Sequence, residues 1–177
     1  MTTRDVHPPL DVDARTAALL DTYGFDRVTF EALRQRLAAT HDRDPRHANV
    51  VRGRIEPPAT GDLTALPAPG TAAWRTAVTR GETVLRNGQV GAVILAGGMA
   101  TRWGGGCKAA VEVFPGQTFL SLKVADVRKL AARLGVTIPV YVVVSFATHE
   151  AVAAAAKTLS TPQVPIEAVP QFISMRL

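Results

Sequence analysis

The chain of 177 residues holds one cysteine, Cys107, so it can form no internal disulfide and assemble no cysteine-based zinc site. It also lacks any apolar run near the ~18 residues that a membrane span needs. The longest such run, Val136 to Val144, is interrupted by Thr137 and Pro139. Behind Met1-Thr-Thr-Arg-Asp5 there is no apolar segment of the signal-peptide kind. Internal repeats and low-complexity tracts are missing too. These absences predict a soluble, cytoplasmic protein with no membrane partner. At 47% hydrophobic and 20% charged residues, the composition is that of an ordinary globular chain and not of a disordered one.

Acidic residues are scarce in one half only. Residues 1–90 carry 12 Arg, no Lys and 11 acids, whereas residues 91–177 carry 8 Lys and Arg against Glu112, Asp126, Glu150 and Glu167. The overall charge is +5 and the pI near 10.0. No stretch interleaves clustered cations with aromatics, so nucleic acid is not the expected partner. Arg43, Arg46, Arg52 and Arg54 read as a solvated loop. The positive excess instead surrounds a glycine-rich segment, which suits a small phosphorylated ligand.

Residues 13–23 read as a short helix capped by Asp11 or Asp13 and stopped at Gly24. A second helix follows, capped by Asp26 or Thr29, with Phe30, Leu33 and Leu37 on one face. Residues 40–69 hold five of the chain's twelve prolines and predict an extended loop, unusually long for a compact domain. The boundary is therefore drawn there, giving a small helical N-terminal region (1–69) and an α/β region (70–177). In the second region a helix over 72–85 carries Trp74, expected as a core anchor, with Val78 and Leu85. Val90 to Ala96 is a continuous apolar run, the pattern of a strand covered on both faces. A short strand over 110–114, a helix over 119–134 with Leu122, Ala125, Val127 and Leu130 inward, and a second fully buried strand over 138–144 follow. Thr148 is set to cap a helix to Leu159, and 164–169 is a third strand. Strands alternating with helices predict a parallel, Rossmann-like sheet.

The chemistry concentrates in Leu95-Ala-Gly-Gly-Met-Ala-Thr-Arg-Trp-Gly-Gly-Gly-Cys-Lys108. This segment leaves the carboxyl end of the first predicted strand, where open α/β sheets bind ligands. Gly97 and Gly98 would let backbone N–H groups approach phosphate oxygens, with Arg102 and Lys108 as cations. A tight turn with two solvated cations is the plainer alternative. Five glycines and two cations within fourteen residues favour the phosphate site. A dinucleotide fingerprint fails on its spacing, since Gly98 to Gly104 is too long and a strand resumes at Val111. A P-loop fails because Cys107-Lys108-Ala109 stands where Gly-Lys-Ser/Thr is required.

The order L-x-G-G-x-x-T-x-x-G, followed shortly by Lys108, resembles the UTP–glucose-1-phosphate uridylyltransferase (UDP-glucose pyrophosphorylase) family and its UDP-N-acetylhexosamine relatives. Lys108-Ala-Ala-Val-Glu-Val113, Gly116-Gln-Thr-Phe-Leu-Ser-Leu122, Ser145-Phe-Ala-Thr-His-Glu150 and Pro170-Gln-Phe172 continue the likeness in collinear order. It runs from about Trp74 to the C-terminus. The resemblance implies a nucleotidyltransferase fold of the GT-A-like type, here incomplete, and an N-terminal part of a longer transferase that would be inactive alone. It implies that Leu95, Ala96, Gly97, Gly98 and Thr101 line the nucleotide, that Lys108 and Arg102 act on its phosphates, and that Gln171 contacts uracil. The implied reaction joins UTP and a sugar 1-phosphate, glucose 1-phosphate first among them, into a UDP-sugar and pyrophosphate. Magnesium would arrive with UTP, and no metal ligand is assigned to the chain. A nucleotide-binding module without turnover, and a transferase for another nucleoside triphosphate, remain the alternatives.

Departures from the family pattern are local. Ala100 stands where glycine is common, which requires a negative φ to be free of strain, and Cys107 stands where proline often precedes the lysine. Cys107 has no neighbouring histidine in sequence and reads as unreactive. Trp103, at a loop tip, could stack on a ligand or cover the loop. His149 is expected to hold Ser145 and Phe146 in place, and Asp126, without a carboxylate partner, is not a metal ligand.

Overall fold

The computed structural model describes residues 11–39, 51, 53–101 and 104–175. The described residues fall into two units, one within Met1–Leu63 and Phe172–Leu177, the other Thr64–Gln171. The first contains α1 (Ala14–Thr22) and α2 (Arg27–Ala38). Asp13 caps α1 and Asp26 caps α2, each accepting the backbone N–H three residues on at 2.9 Å. Leu20 and Phe30 are its buried side chains, with the Phe25 and Phe30 rings 5.3 Å apart. Residues 53–69 form neither helix nor strand, as their prolines predict.

The second unit begins with α3 (Ala72–Arg86), capped by Thr71. None of its residues is fully buried, and Trp74, expected in the core, is 37% exposed. The carboxyl end of α3 is tied to the rest of the unit. Leu85 packs on the core, Arg86 donates to the Leu134 carbonyl at 2.9 Å, and Glu82 pairs with Arg133 at 3.6 Å. Trp74 itself is partly covered and is not a core anchor.

Three parallel strands follow in the order β1–β4–β5, namely β1 (Ala92–Leu95), β4 (Val140–Val144) and β5 (Ile166–Pro170). Between β1 and β4 lie a 3-10 turn (Lys108–Ala110), a small antiparallel hairpin of β2 (Glu112–Phe114) and β3 (Gln117–Thr118), and α4 (Phe119–Leu134). The hairpin turns at Pro115-Gly116, where sequence reading expected only a strand end. Helix α5 (His149–Leu159) joins β4 to β5. This is the Rossmann-like α/β class.

Both linking helices cover the same face of the sheet. Val140, Val142 and Val144 are fully buried there, clustered with Leu120, Val124 and Ala131 of α4 and Val152 of α5. On the opposite face Val93 is 64%, Leu95 83% and Tyr141 41% exposed. The expectation that β1 and β4 are covered on both faces is therefore corrected. A continuous apolar run does not distinguish one covered face from two when only one set of helices packs on the sheet. The phase of α4 is corrected in part. Its buried positions are Leu120, Val124, Ala131 and Leu134; Val127 and Leu130 pack on the core as expected, while Leu122 and Ala125 are only half-buried. That helix carries apolar residues around most of its circumference, so its own periodicity does not choose the face.

Candidate functional site

The loop after β1 is a turn that folds back on its origin. Gly104, Gly105 and Gly106 hold φ of +85°, +95° and +87°, a region that residues with a Cβ rarely enter. The reversal lets Ala100 N–H donate to the Gly106 carbonyl at 2.8 Å and Gly105 N–H to the Ala100 carbonyl at 2.9 Å. Met99 then faces Cys107 as an antiparallel pair. Finally Lys108 N–H donates to the Gly98 carbonyl at 3.2 Å. Ten residues apart in sequence, Lys108 and Gly98 become backbone neighbours at the carboxyl end of β1. Ala100 is buried and has no positive φ, so alanine in place of glycine brings no strain. Arg102 and Trp103 lie outside the described residues.

The ends of all three strands converge at Gly97. Ala96 N–H donates to Val143 at 2.7 Å, and Gln171 N–H donates to Val144 at 2.8 Å. A Cβ on Gly97 would stand 3.3 Å from the Ser145 amide nitrogen and 3.4 Å from Gln171 Oε1. Any side chain at Gly97 would thus be tight against the protein's own strand ends. A Cβ on Gly98, by contrast, would meet no atom within 4 Å. The side facing it is open.

Ser145 is held by Thr148, the one fully buried polar side chain among the described residues. Thr148 Oγ1 accepts the Ser145 N–H at 3.1 Å and lies 3.2 Å from Ser145 Oγ. Sequence reading assigned Thr148 to cap α5. It occupies the cap position but makes no side-chain cap bond, since its φ of −112° and ψ of −7° are not the extended geometry of a capping residue. A buried hydroxyl must still be satisfied, and Ser145 satisfies it.

Beside the Gly98–Lys108 contact lies a cavity of about 420 Å³, within the size range of small-ligand sites. Its apolar walls are Ile94, Leu95, Ala96, Ala109, Phe119 and Leu120, and its remaining lining is Gly98, Lys108 and Lys123. Of the residues expected from sequence, Leu95, Ala96, Gly98 and Lys108 come together here, and Gly97 and Gln171 meet at the adjoining strand ends. Thr101 is exposed on the loop and does not line the cavity. Sequence reading passed over Lys123, which comes beside Lys108 through the docking of α4. Its one sequence signal is a lone cation among the apolar residues that open that helix. Cys107 is half-buried and packs on the core. Asp126 is exposed and lies 3.9 Å from Lys129.

The charged groups lining the cavity are the Lys108 and Lys123 ammonium groups, which match anionic oxygen. No cluster of three His, Cys, Asp or Glu side chains occurs among the described residues. Likewise, none of the described helices is long and apolar enough to cross a membrane.

Compared with models of known protein families, residues 29–174 match the one described as UTP–glucose-1-phosphate uridylyltransferase. Among curated proteins, no match is found.

Proposed function

Since the chain belongs to the UTP–glucose-1-phosphate uridylyltransferase family, we propose that its α/β unit binds UTP and passes the uridylyl group to a sugar 1-phosphate, glucose 1-phosphate by preference. The observation that carries this reading is the backbone return of Lys108 to Gly98, which brings a lysine beside an unobstructed glycine at the end of β1.

In this reading Gln171 contacts the uracil, close to Gly97, and Leu95 and Ala96 line the nucleotide. The phosphates lie over Gly98, whose missing side chain leaves the backbone approachable, with the Lys108 ammonium beside them. Thr101 and Arg102 are assigned to the same nucleotide through the sequence resemblance. An oxygen of the sugar phosphate attacks the α-phosphorus of UTP, the bond from that phosphorus to the bridging oxygen breaks, and pyrophosphate leaves with its electrons. No covalent protein intermediate is required. Positioning of the reactants and neutralisation of charge on the departing phosphates account for the catalysis. Magnesium enters as part of the nucleotide substrate, because the site's own donors are suited to phosphate and not to the metal. Synthesis from UTP would set the protein in the cytoplasm.

The reading is tested by titrating UTP against the wild-type chain and Lys108→Ala. Removing a charged partner of phosphate costs about 1.5–3 kcal/mol, so affinity should fall at least tenfold, and unchanged affinity would refute the assignment of Lys108. Pyrophosphate release from UTP with glucose 1-phosphate tests turnover. Binding without release would reduce the reading to a nucleotide-binding module, and a preference for CTP or GTP would overturn the role given to Gln171.

A further inference from the structure

We propose that Lys123 is a second phosphate-binding residue, contacting the terminal phosphates of the nucleotide that leave as pyrophosphate. This rests on the reading of the site as a UTP site and adds to it a residue that the glycine-loop motif does not contain.

The argument begins with charge. Lys108 and Lys123 line one cavity, and neither has a carboxylate partner among the described residues. On the same helix Lys129 lies near Asp126, and Arg133 pairs with Glu82. Both side chains are exposed, so water screens their mutual repulsion, and what the pair offers is two ammonium groups at the rim of one cavity that no acidic side chain lines. A polyphosphate, with charge spread over several oxygens, can engage both at once.

The amino end of α4 does not itself supply the anion site. Thr118 and Ser121 form a reciprocal capping box, and Phe119 N–H donates to the Val111 carbonyl at 3.2 Å. Those amides are already engaged, so the attraction for an anion is carried by the lysines.

Position then selects the phosphates concerned. Gln171 and Gly97 meet at the strand ends, whereas the cavity is lined by Gly98, Lys108 and Lys123 and by neither Gly97 nor Gln171. A nucleotide with its base at Gln171 and its phosphates over Gly98 therefore extends its far end toward Lys123. There the ammonium would meet the β- and γ-phosphates and stabilise the charge that grows on them as the α–β bond breaks.

The test compares Lys123→Gln with wild type by calorimetric titration of UTP and UMP. Glutamine keeps most of the side chain that walls the cavity, and Lys123 is exposed, so folding is expected to be undisturbed and is checked by thermal melting. UTP affinity should fall about tenfold or more, the change expected for one charge-assisted contact. UMP affinity should change less than about twofold, and Lys129→Gln, which makes the same change of net charge, should leave UTP affinity as in wild type. Undiminished UTP binding by Lys123→Gln, with Lys108→Ala impaired, overturns the role of Lys123 and leaves the UTP site standing. An equal loss for UMP overturns its assignment to the terminal phosphates. Failure of the wild-type chain to bind UTP overturns both readings together.

Discussion

Gly97 and Gly98 are adjacent and chemically identical, yet a side chain would meet close neighbours at the first and open space at the second, and alanine at each position separates the two. At Gly97 the new Cβ would press to 3.3 Å from the Ser145 nitrogen and 3.4 Å from Gln171 Oε1. The first is backbone pinned by Thr148, so it yields little. Overpacking of this kind costs about 1–3 kcal/mol, or roughly 2–4 °C of melting temperature per kcal/mol in a chain of this size. Gly97→Ala is expected to melt several degrees below wild type. At Gly98 the same methyl group meets nothing within 4 Å, and its φ is outside the left-handed region. Gly98→Ala should therefore melt at or slightly above the wild-type temperature, because alanine restricts the unfolded chain by about 0.4–1 kcal/mol. On the proposed reading its effect should appear only when UTP is added, since a methyl group there would hold the nucleotide away from the backbone. Loss of one such charge-assisted contact predicts about a tenfold weaker association. Thermal melts with and without saturating UTP, beside a direct titration, supply both readouts. Wild-type UTP affinity in Gly98→Ala would refute the approach of phosphate to this glycine. Unchanged melting of Gly97→Ala would refute the close packing of the strand ends.

Two further outcomes follow from single contacts. Thr148→Val keeps the shape of the buried side chain but leaves the Ser145 N–H without its acceptor, at a cost of about 1–3 kcal/mol; a melting temperature equal to wild type would show that Ser145 is held by other means. Asp13 and Asp26 have carboxyl pKa values below the ordinary 3.8, through backbone and side-chain hydrogen bonds from Thr16 and Thr29. A pKa depressed by folding gives stabilisation that is present above the unfolded value and disappears as the pH falls through the folded one. Helix content followed by far-ultraviolet circular dichroism should therefore decline below about pH 4, and less steeply in the Asp13→Asn, Asp26→Asn double variant; identical acid profiles would contradict the caps.

Local chemistry made much of the fold legible. Asp13, Asp26 and Gly135 mark helix ends because capping uses atoms a few residues apart, and α1 and α2 begin and α4 ends directly at those signals. The glycine segment was legible as a loop leaving β1, but the positive φ of Gly104 to Gly106 that folds it back on Gly98 was not, because glycine permits that conformation without dictating it. The face of α4 was legible only in part, because Leu122 and Ala125 compete with Leu120 and Val124 and only the sheet decides among them. Nor was the bare side of β1 and β4, where valines and leucines alternate with one another and not with polar residues. Lys123 shares this limit, as its proximity to Lys108 is created by the packing of α4 and by no spacing in the chain.

The core also determines where Gln171 points. In the parallel pairing of β5 with β4, Val144 stands opposite Pro170, and Gln171 follows with its amide on the Val144 carbonyl. Side chains alternate between faces along a strand, so a one-residue slip of β4 would turn Val140, Val142 and Val144 out of the core. All three are fully buried, and exposing each costs about 1.5–3 kcal/mol. The combined cost, on the order of 5–9 kcal/mol, rivals the entire stability of a typical domain. The register is thereby fixed, and with it the approach of Gln171 to Gly97. If Gln171 contacts the base as proposed, Val144→Ala, which loosens the residue its amide is bonded to, should weaken UTP binding in a calorimetric titration, whereas Val93→Ala, on the exposed face of β1, should bind UTP as wild type does; equal affinities in the two variants would refute the coupling.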